Sequence, residues 1–149
     1  MTKPGLNPQH ARRRARRSAM QALYQWQLSK QNLQDIEDQF RIDQDMSKVD
    51  LDYFHHLLHQ IPGKLDELDA VLKGSIDRPI EEIDPVERAI LRIGAFELCH
   101  QPDIPYRIVL NESVNLAKQF GAVDGHKYVN GILDKVAREL RAVEIKAGL

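Results

Sequence analysis

Apolar side chains recur at i, i+3 and i+4 through nearly the whole sequence. Nowhere do they alternate with the period of two that a half-buried strand requires between hairpin turns. This periodicity restricts the chain to an all-α fold. Its 149 residues suit one domain, and a hydrophobic share of 42% is enough to fill a core. No apolar run approaches the ~20 residues needed to cross a bilayer, so no membrane partner is expected. The N-terminus lacks the apolar segment of a secretory signal, and the single cysteine, Cys99, has no partner for an internal disulfide. Both features point to a reducing, cytoplasmic setting.

Local signals divide the chain into six or seven helices. Pro4, Gly5 and Pro8 mark a flexible tail over residues 1–10, leading into a helix from about Gln9 to Lys30 with Asn7 as its cap. A second helix begins near Asn32. A third begins near Asp50, where Leu51, Phe54, Leu57, Leu58 and Ile61 share a face that Leu65, Leu68 and Leu72 continue. Pro62-Gly63 interrupts that pattern and predicts a kink or break. Residues 74–84 read as a connector with one helical turn. Asp84-Pro85-Val86-Glu87 then announces a helix: a capping aspartate, proline in the first turn, and a glutamate placed to close a capping box. Apolar residues nearly encircle that helix as far as His100, which predicts a buried central position. Two further helices, from about Tyr106 to Phe120 and from about Asp124 to Arg141, complete a single domain over residues 11–141. It should consist of two packed halves, 11–76 and 77–141, followed by a tail over 142–149.

Charge is unevenly distributed. The formal net charge is -1, but residues 1–34 carry +7 without a single acid, residues 35–89 carry -9, and residues 90–149 carry +1. On a helical wheel of ~100° per residue, Arg13, Arg17 and Tyr24 fall within ~40° of one another, with Arg16 ~60° to one side. Ala15, Ala19, Ala22, Leu23 and Trp26 take the opposite face. Arginine forks match phosphate oxygens, and an aromatic ring beside them can stack on an unpaired base. The pattern fits single-stranded nucleic acid. A solvated charged face, or attraction to an acidic membrane or protein surface, would use the same residues.

Other chemistry is weakly signalled. His55 and His59 have the four-residue spacing of zinc ligands, but no third ligand is fixed, and they read as solvated histidines on the polar side of their helix. Cys99 beside His100 reads as a buried structural thiol, because adjacent helical residues do not face each other. Glu81, Glu82, Asp84 and Glu87 read as a helix start or an acidic protein-binding surface. The segment from Phe120 to Gly131 joins a helix stop to a helix start whose backbone N–H groups can receive a phosphate, and Gly131 suggests a close helix contact. No phosphate loop or nucleophile elbow is present, so neither an enzyme nor a cofactor or metal requirement is expected.

Four blocks, in order and in register, resemble one family. They are Ala11-Arg12-Arg13-Arg14-Ala15-Arg16 with Ala22-Leu23-Tyr24-Gln25-Trp26-Gln27; Asp84 through Ile93; Pro105-Tyr106 with Asn111 through Lys118; and Phe120-Gly121 with Lys127 through Asp134. This chain resembles the NusB family of bacterial transcription antitermination factors from about Ala11 to Arg141. The resemblance implies an all-helical protein in two halves that pairs with NusE, a small-subunit ribosomal protein. It further implies that the pair binds the boxA element of ribosomal RNA operon transcripts. With other Nus factors the pair would ride on the RNA polymerase elongation complex, suppress early termination and assist ribosomal RNA maturation, without catalysis or cofactor. Carried over, it makes Arg12, Arg13, Arg14, Arg16, Arg17, Gln21, Tyr24, Lys118, Asp124, Lys127 and Tyr128 the RNA-facing set. Glu81, Glu87, Arg88 and Leu91 become the surface that meets NusE. Two positions depart from the family pattern: Pro62-Gly63 lies in a stretch usually helical throughout, and Tyr128 stands where phenylalanine is common. The rival readings are an RNA-targeting domain of a ribosomal RNA methyltransferase and a purely structural helical adaptor.

Overall fold

The computed structural model describes residues 7–148, which form eight α-helices and one short 3-10 turn, with no strand among them. The expected tail over residues 1–6 lies outside the described residues. Two compact units divide the chain, Met1–Gly63 and Lys64–Leu149.

The first unit holds α1 (Pro8–Ser29), α2 (Leu33–Asp43) and α3 (Leu51–Gly63). Helix α1 starts inside the segment read as tail. The Asn7 side chain accepts hydrogen bonds from the Gln9 and His10 backbone N–H groups at 2.9 and 3.2 Å, which fixes Pro8 in the first turn. One face of α1 is built from small residues: Ala11, Ala15, Ala19 and Ala22 are all buried. Alanine lets a helix backbone approach its neighbour closely, and α1 packs mainly on α3. Ile36 and Phe40 of α2 and Phe54, Leu57, Leu58 and Ile61 of α3 close the core, with the Phe40 and Phe54 rings 5.9 Å apart. Fully burying side chains of this size is worth ~1.5–3 kcal/mol each.

His55 and His59 are not simply solvated. Both reach the buried Glu37 carboxylate, which also receives Arg41. The polar side of α3 lies against α2, and a buried carboxylate has to be paired.

Pro62 does not break α3. It sits in the last turn, and the chain leaves the helix at Lys64, one residue beyond Gly63. That break, not the 74–84 connector, separates the two units, in place of the expected division at 76/77.

The second unit contains α4 (Leu65–Lys73), the 3-10 turn Ile80–Glu82, α5 (Pro85–His100), α6 (Tyr106–Phe120), α7 (Gly125–Leu140) and α8 (Ala142–Lys146). Helix α4 belongs here because the Asp69 carboxylate receives two bonds from Arg92 of α5, at 3.0 and 2.9 Å. Helix α5 is the buried centre that its composition predicts, with every residue from Ala89 to Leu98 inaccessible. The Asp84 side chain caps it by accepting from the Val86 and Glu87 backbone. Glu87 does not return that bond and turns inward instead.

The glycine that permits a close helix contact is Gly94, not Gly131. A Cβ at Gly94 would meet Leu133 at 2.6 Å and Ser113 at 3.1 Å, whereas Gly131 faces open space. The expected C-terminal tail is also ordered. Arg141 is buried, and its guanidinium donates to the carbonyl oxygens of Glu97, Leu98, Gln101 and Ile104 and to the Glu144 carboxylate. Glu144 in turn accepts from the Tyr106 backbone N–H, so α8 is held against the start of α6.

Candidate nucleic-acid interface

In the first unit, α1 places Arg13 and Arg17 at exposed positions, with Tyr24 37% exposed at the end of the same stripe and Gln21 half-buried between them. The other arginines of the cluster are placed differently. The Arg12 guanidinium lies 4.3 Å from the centre of the Tyr53 ring and that of Arg16 lies 5.6 Å from it. Arg16 is only 4% exposed, and Arg14 is half-buried. The assignment of Arg16 to an RNA-facing position is therefore corrected. Its place at the edge of the stripe turns it toward α3, where Tyr53 takes the cation; such a contact is worth ~0.5–1 kcal/mol at an exposed site and more when water is excluded. The five arginines thus divide into an outward pair, Arg13 and Arg17, a pair against the Tyr53 ring, Arg12 and Arg16, and the half-buried Arg14.

In the second unit, the turn between α6 and α7 is set by Asp124, a non-glycine residue in the left-handed region at φ 64°. Lys127 points outward, with its Nζ 3.4 Å from the Asp124 carboxylate across two exposed side chains. Such a pair is worth little and is readily exchanged for another anion. Lys118, near the end of α6, is also exposed. Tyr128 is half-buried and anchored. Its hydroxyl donates to the Asp77 carboxylate at 3.1 Å, and the Arg78 guanidinium lies 5.1 Å from its ring centre. Arg78 also donates to Asp77 at 3.0 Å. The Arg78 bond first, and the Tyr128 bond second, hold the Asp77 carboxyl below its ordinary range. Burial, assisted by the bond to Asp77, pushes the Tyr128 hydroxyl above its own range. The ring is therefore neutral, fixed in orientation and open on part of its surface.

Beneath this turn lies Glu87. It takes a hydrogen bond from the Ala122 backbone, and burial, then the nearby Asp84 charge, raise its carboxyl above the ordinary range. Glycine at 125 lets the Glu87 carboxylate lie close under the turn: a Cβ there would stand 2.9 Å from one of its oxygens and would make the side chain shift. The expected partner surface changes accordingly. Glu87 is only 7% exposed and Leu91 is fully buried, so neither faces a partner. Leu91 lies on the central helix α5, and Glu87 supports the α6–α7 turn. Arg88 donates to the carbonyl oxygens of Glu81 and Ile83 at 2.9 and 3.0 Å, which ties the 3-10 turn to α5. Of the four, Glu81 alone remains fully exposed.

Three residues that build these sites carry no role in a reading of the sequence. Tyr53 grips Arg12 and Arg16, and the pair Asp77 and Arg78 orients Tyr128. Asp77 and Arg78 fall in the connector, Asp77 51 positions from Tyr128, and no helical spacing relates them to it.

No helix among the described residues is long and apolar enough to cross a membrane. The NusB family model matches residues 13–138. The chain is 57% identical over 134 residues to the transcription antitermination protein NusB of Alcanivorax borkumensis, covering 90% of this chain and 89% of that one. It is 56% identical to the NusB of Nitrosococcus oceani, covering 91% of each, and 54% identical to that of Pseudomonas entomophila, covering 91% of this chain and 82% of the relative. Among solved structures, Thermotoga maritima NusB superposes with a TM-score of 0.76 at 26% identity, covering 93% and 94% of the two chains. The NusB of a complex of NusB and NusE with double-stranded RNA gives 0.71 at 24% identity, covering 85% and 96%. An all-helical architecture, an arginine-bearing first helix and matches over most of its length place this chain in the NusB family.

Proposed function

We propose that this protein is a transcription antitermination factor that, together with NusE, binds boxA-type RNA in transcripts of ribosomal RNA operons. It acts in the cytoplasm within the RNA polymerase elongation complex and its other Nus factors, and so supports processive transcription and ribosomal RNA maturation. Its work is binding, not catalysis. The observation that carries this reading is the exposed stripe of Arg13, Arg17 and Tyr24 on α1, in a segment without acidic residues. The curated relatives bear the name of transcription antitermination proteins, and a related complex holds NusE and RNA together.

The two arginines neutralise backbone phosphates and set the position of the strand. Tyr24 offers a flat face to an unpaired base. In the second unit, Lys118 and Lys127 offer phosphate contacts of their own, and Tyr128 offers a ring whose orientation is already fixed. Base preference then comes from splayed single-stranded bases read on their edges. NusE meets the acidic surface around Glu81; the -9 charge of residues 35–89 suits a basic ribosomal partner.

The test is a binding titration of the purified chain with a boxA-like RNA, a scrambled RNA and a boxA duplex, each with and without NusE. The expected result is tighter binding to the single-stranded boxA sequence, enhanced by NusE. Equal affinity for all three RNAs under both conditions would reduce the interaction to non-specific electrostatics and overturn the reading.

A further inference from the structure

In the first unit, α2 and α3 are joined by a cluster that plays no part in the proposed RNA contacts. One oxygen of Glu37, Oε1, lies 2.7 Å from His55 Nδ1 and 2.8 Å from His59 Nε2. The three ligand atoms lie within 4.8 Å of one another. The carboxylate is buried, with only 3% of its side chain exposed, whereas His55 is 51% and His59 25% exposed at the side chain. The other carboxylate oxygen, Oε2, is occupied by Arg41, which donates from Nε at 2.9 Å and Nη2 at 2.6 Å. We propose that Glu37, His55 and His59 form a binding site for a divalent transition-metal cation of the zinc type.

The chemistry of the donors favours such an ion. Two imidazole nitrogens and one carboxylate oxygen form the donor set of open zinc sites, in which water takes the fourth position. A tetrahedral ion with bonds of ~2.0–2.1 Å needs its ligand atoms about 3.3 Å apart. The two histidines therefore have to withdraw from Oε1 by about half an ångström, and the exposed rings are free to do so. In its neutral form each imidazole presents a bare nitrogen to the ion once its proton sits on the far ring nitrogen. Arg41 fixes the carboxylate as a one-oxygen ligand, the orienting role that outer partners play at metal centres. Its own positive charge opposes an ion, but Arg41 is 40% exposed and screened by water. An ion here clips α2 to α3 and stabilises the folded chain in proportion to its concentration over its Kd.

The experiment titrates the chelator-treated full chain with Zn2+ by calorimetry and with Co2+ by visible absorption, and follows Tm in parallel. The expected result is saturable binding of one ion per chain, a rise in Tm, and a four-coordinate Co2+ spectrum without thiolate bands. Replacing His55 by alanine, or His59 by glutamine, is expected to weaken binding by about 100-fold, since loss of even an outer partner costs ~10–100-fold. His10→Ala and Cys99→Ser leave it unchanged. Far-UV circular dichroism confirms that the variants fold. Absence of saturable binding, or equal affinity in the His55 and His59 variants, would mean that the cluster is a hydrogen-bonded network only and would overturn the proposal. RNA affinity is read separately, so either outcome leaves the antitermination reading intact.

Discussion

The α1 stripe and the start of α7 offer the same two ingredients, cations and a tyrosine, in opposite states of preparation. Arg13 and Arg17 are long side chains at exposed positions beside an exposed Tyr24. Tyr128 is held by Asp77 and flanked by Arg78 before any ligand arrives. The first surface loses side-chain entropy when it orders around a strand, and its attraction depends on salt. At the second, much of that entropy is lost on folding, and its contribution is geometric. On the proposed reading, cations of the first kind capture RNA and a fixed ring of the second kind selects it.

The difference is open to direct attack. Replacing Arg13 and Arg17 together by alanine has the largest expected effect. RNA affinity falls at physiological salt, and the slope of log K against log salt decreases by about 1.4, from ~0.7 per phosphate contact on a single strand. An unchanged slope in a salt series would remove these arginines from the interface. Next comes Tyr24→Ala, expected to cost ~1–3 kcal/mol of binding and to keep that cost at high salt, because stacking is little screened. A loss that disappears at high salt would show that Tyr24 does not stack.

Tyr128→Phe separates ring from anchor. Stacking survives while the bond to Asp77 is lost, so affinity falls by less than the ~1.5–3 kcal/mol that a hydrogen bond to a charged group is worth. The Asp77 carboxyl moves up toward its ordinary range, which carboxylate NMR titration can follow. If affinity falls as far as in Tyr128→Ala, the hydroxyl itself contacts RNA. The smallest effect is expected from Glu87→Gln beneath the same turn. Glu87 has a folded-state pKa raised above the ordinary 4.5, so its favourable contribution is present below pH 4.5 and lost as pH rises through the folded value. The Glu87→Gln variant should therefore gain Tm relative to the parent only on the alkaline side. Parallel Tm curves across that range would show that Glu87 is not strained by its burial.

Glu37 and Glu87 also show where sequence reading stops. Each is a buried glutamate on a helix, yet partners lower one carboxyl and burial raises the other. Helix periodicity placed Ile36 and Phe40 in the core of the first unit and showed α5 to be central, because a 3.6-residue repeat depends on near neighbours alone. It set His55 and His59 on the polar side of α3 correctly. It could not show that this side meets α2, because nothing local relates position 37 to 55. Arg16 failed for a related reason: the wheel put it at the margin of a stripe, and only the aromatic residue opposite decided its direction. Glu87 and Leu91 matched the family pattern in sequence while serving the interior, since a motif marks a position as used without saying by what.

Arg141 bears on where this protein can be cut. The family match ends at residue 138, and a boundary drawn there looks safe from sequence alone. Such a truncation would remove the guanidinium that pairs with the carbonyl end of the central helix, and with it the segment that receives the Tyr106 amide. The minimal stable fragment is therefore longer than the recognisable one, and its last turns act as a clasp, not a trailing end.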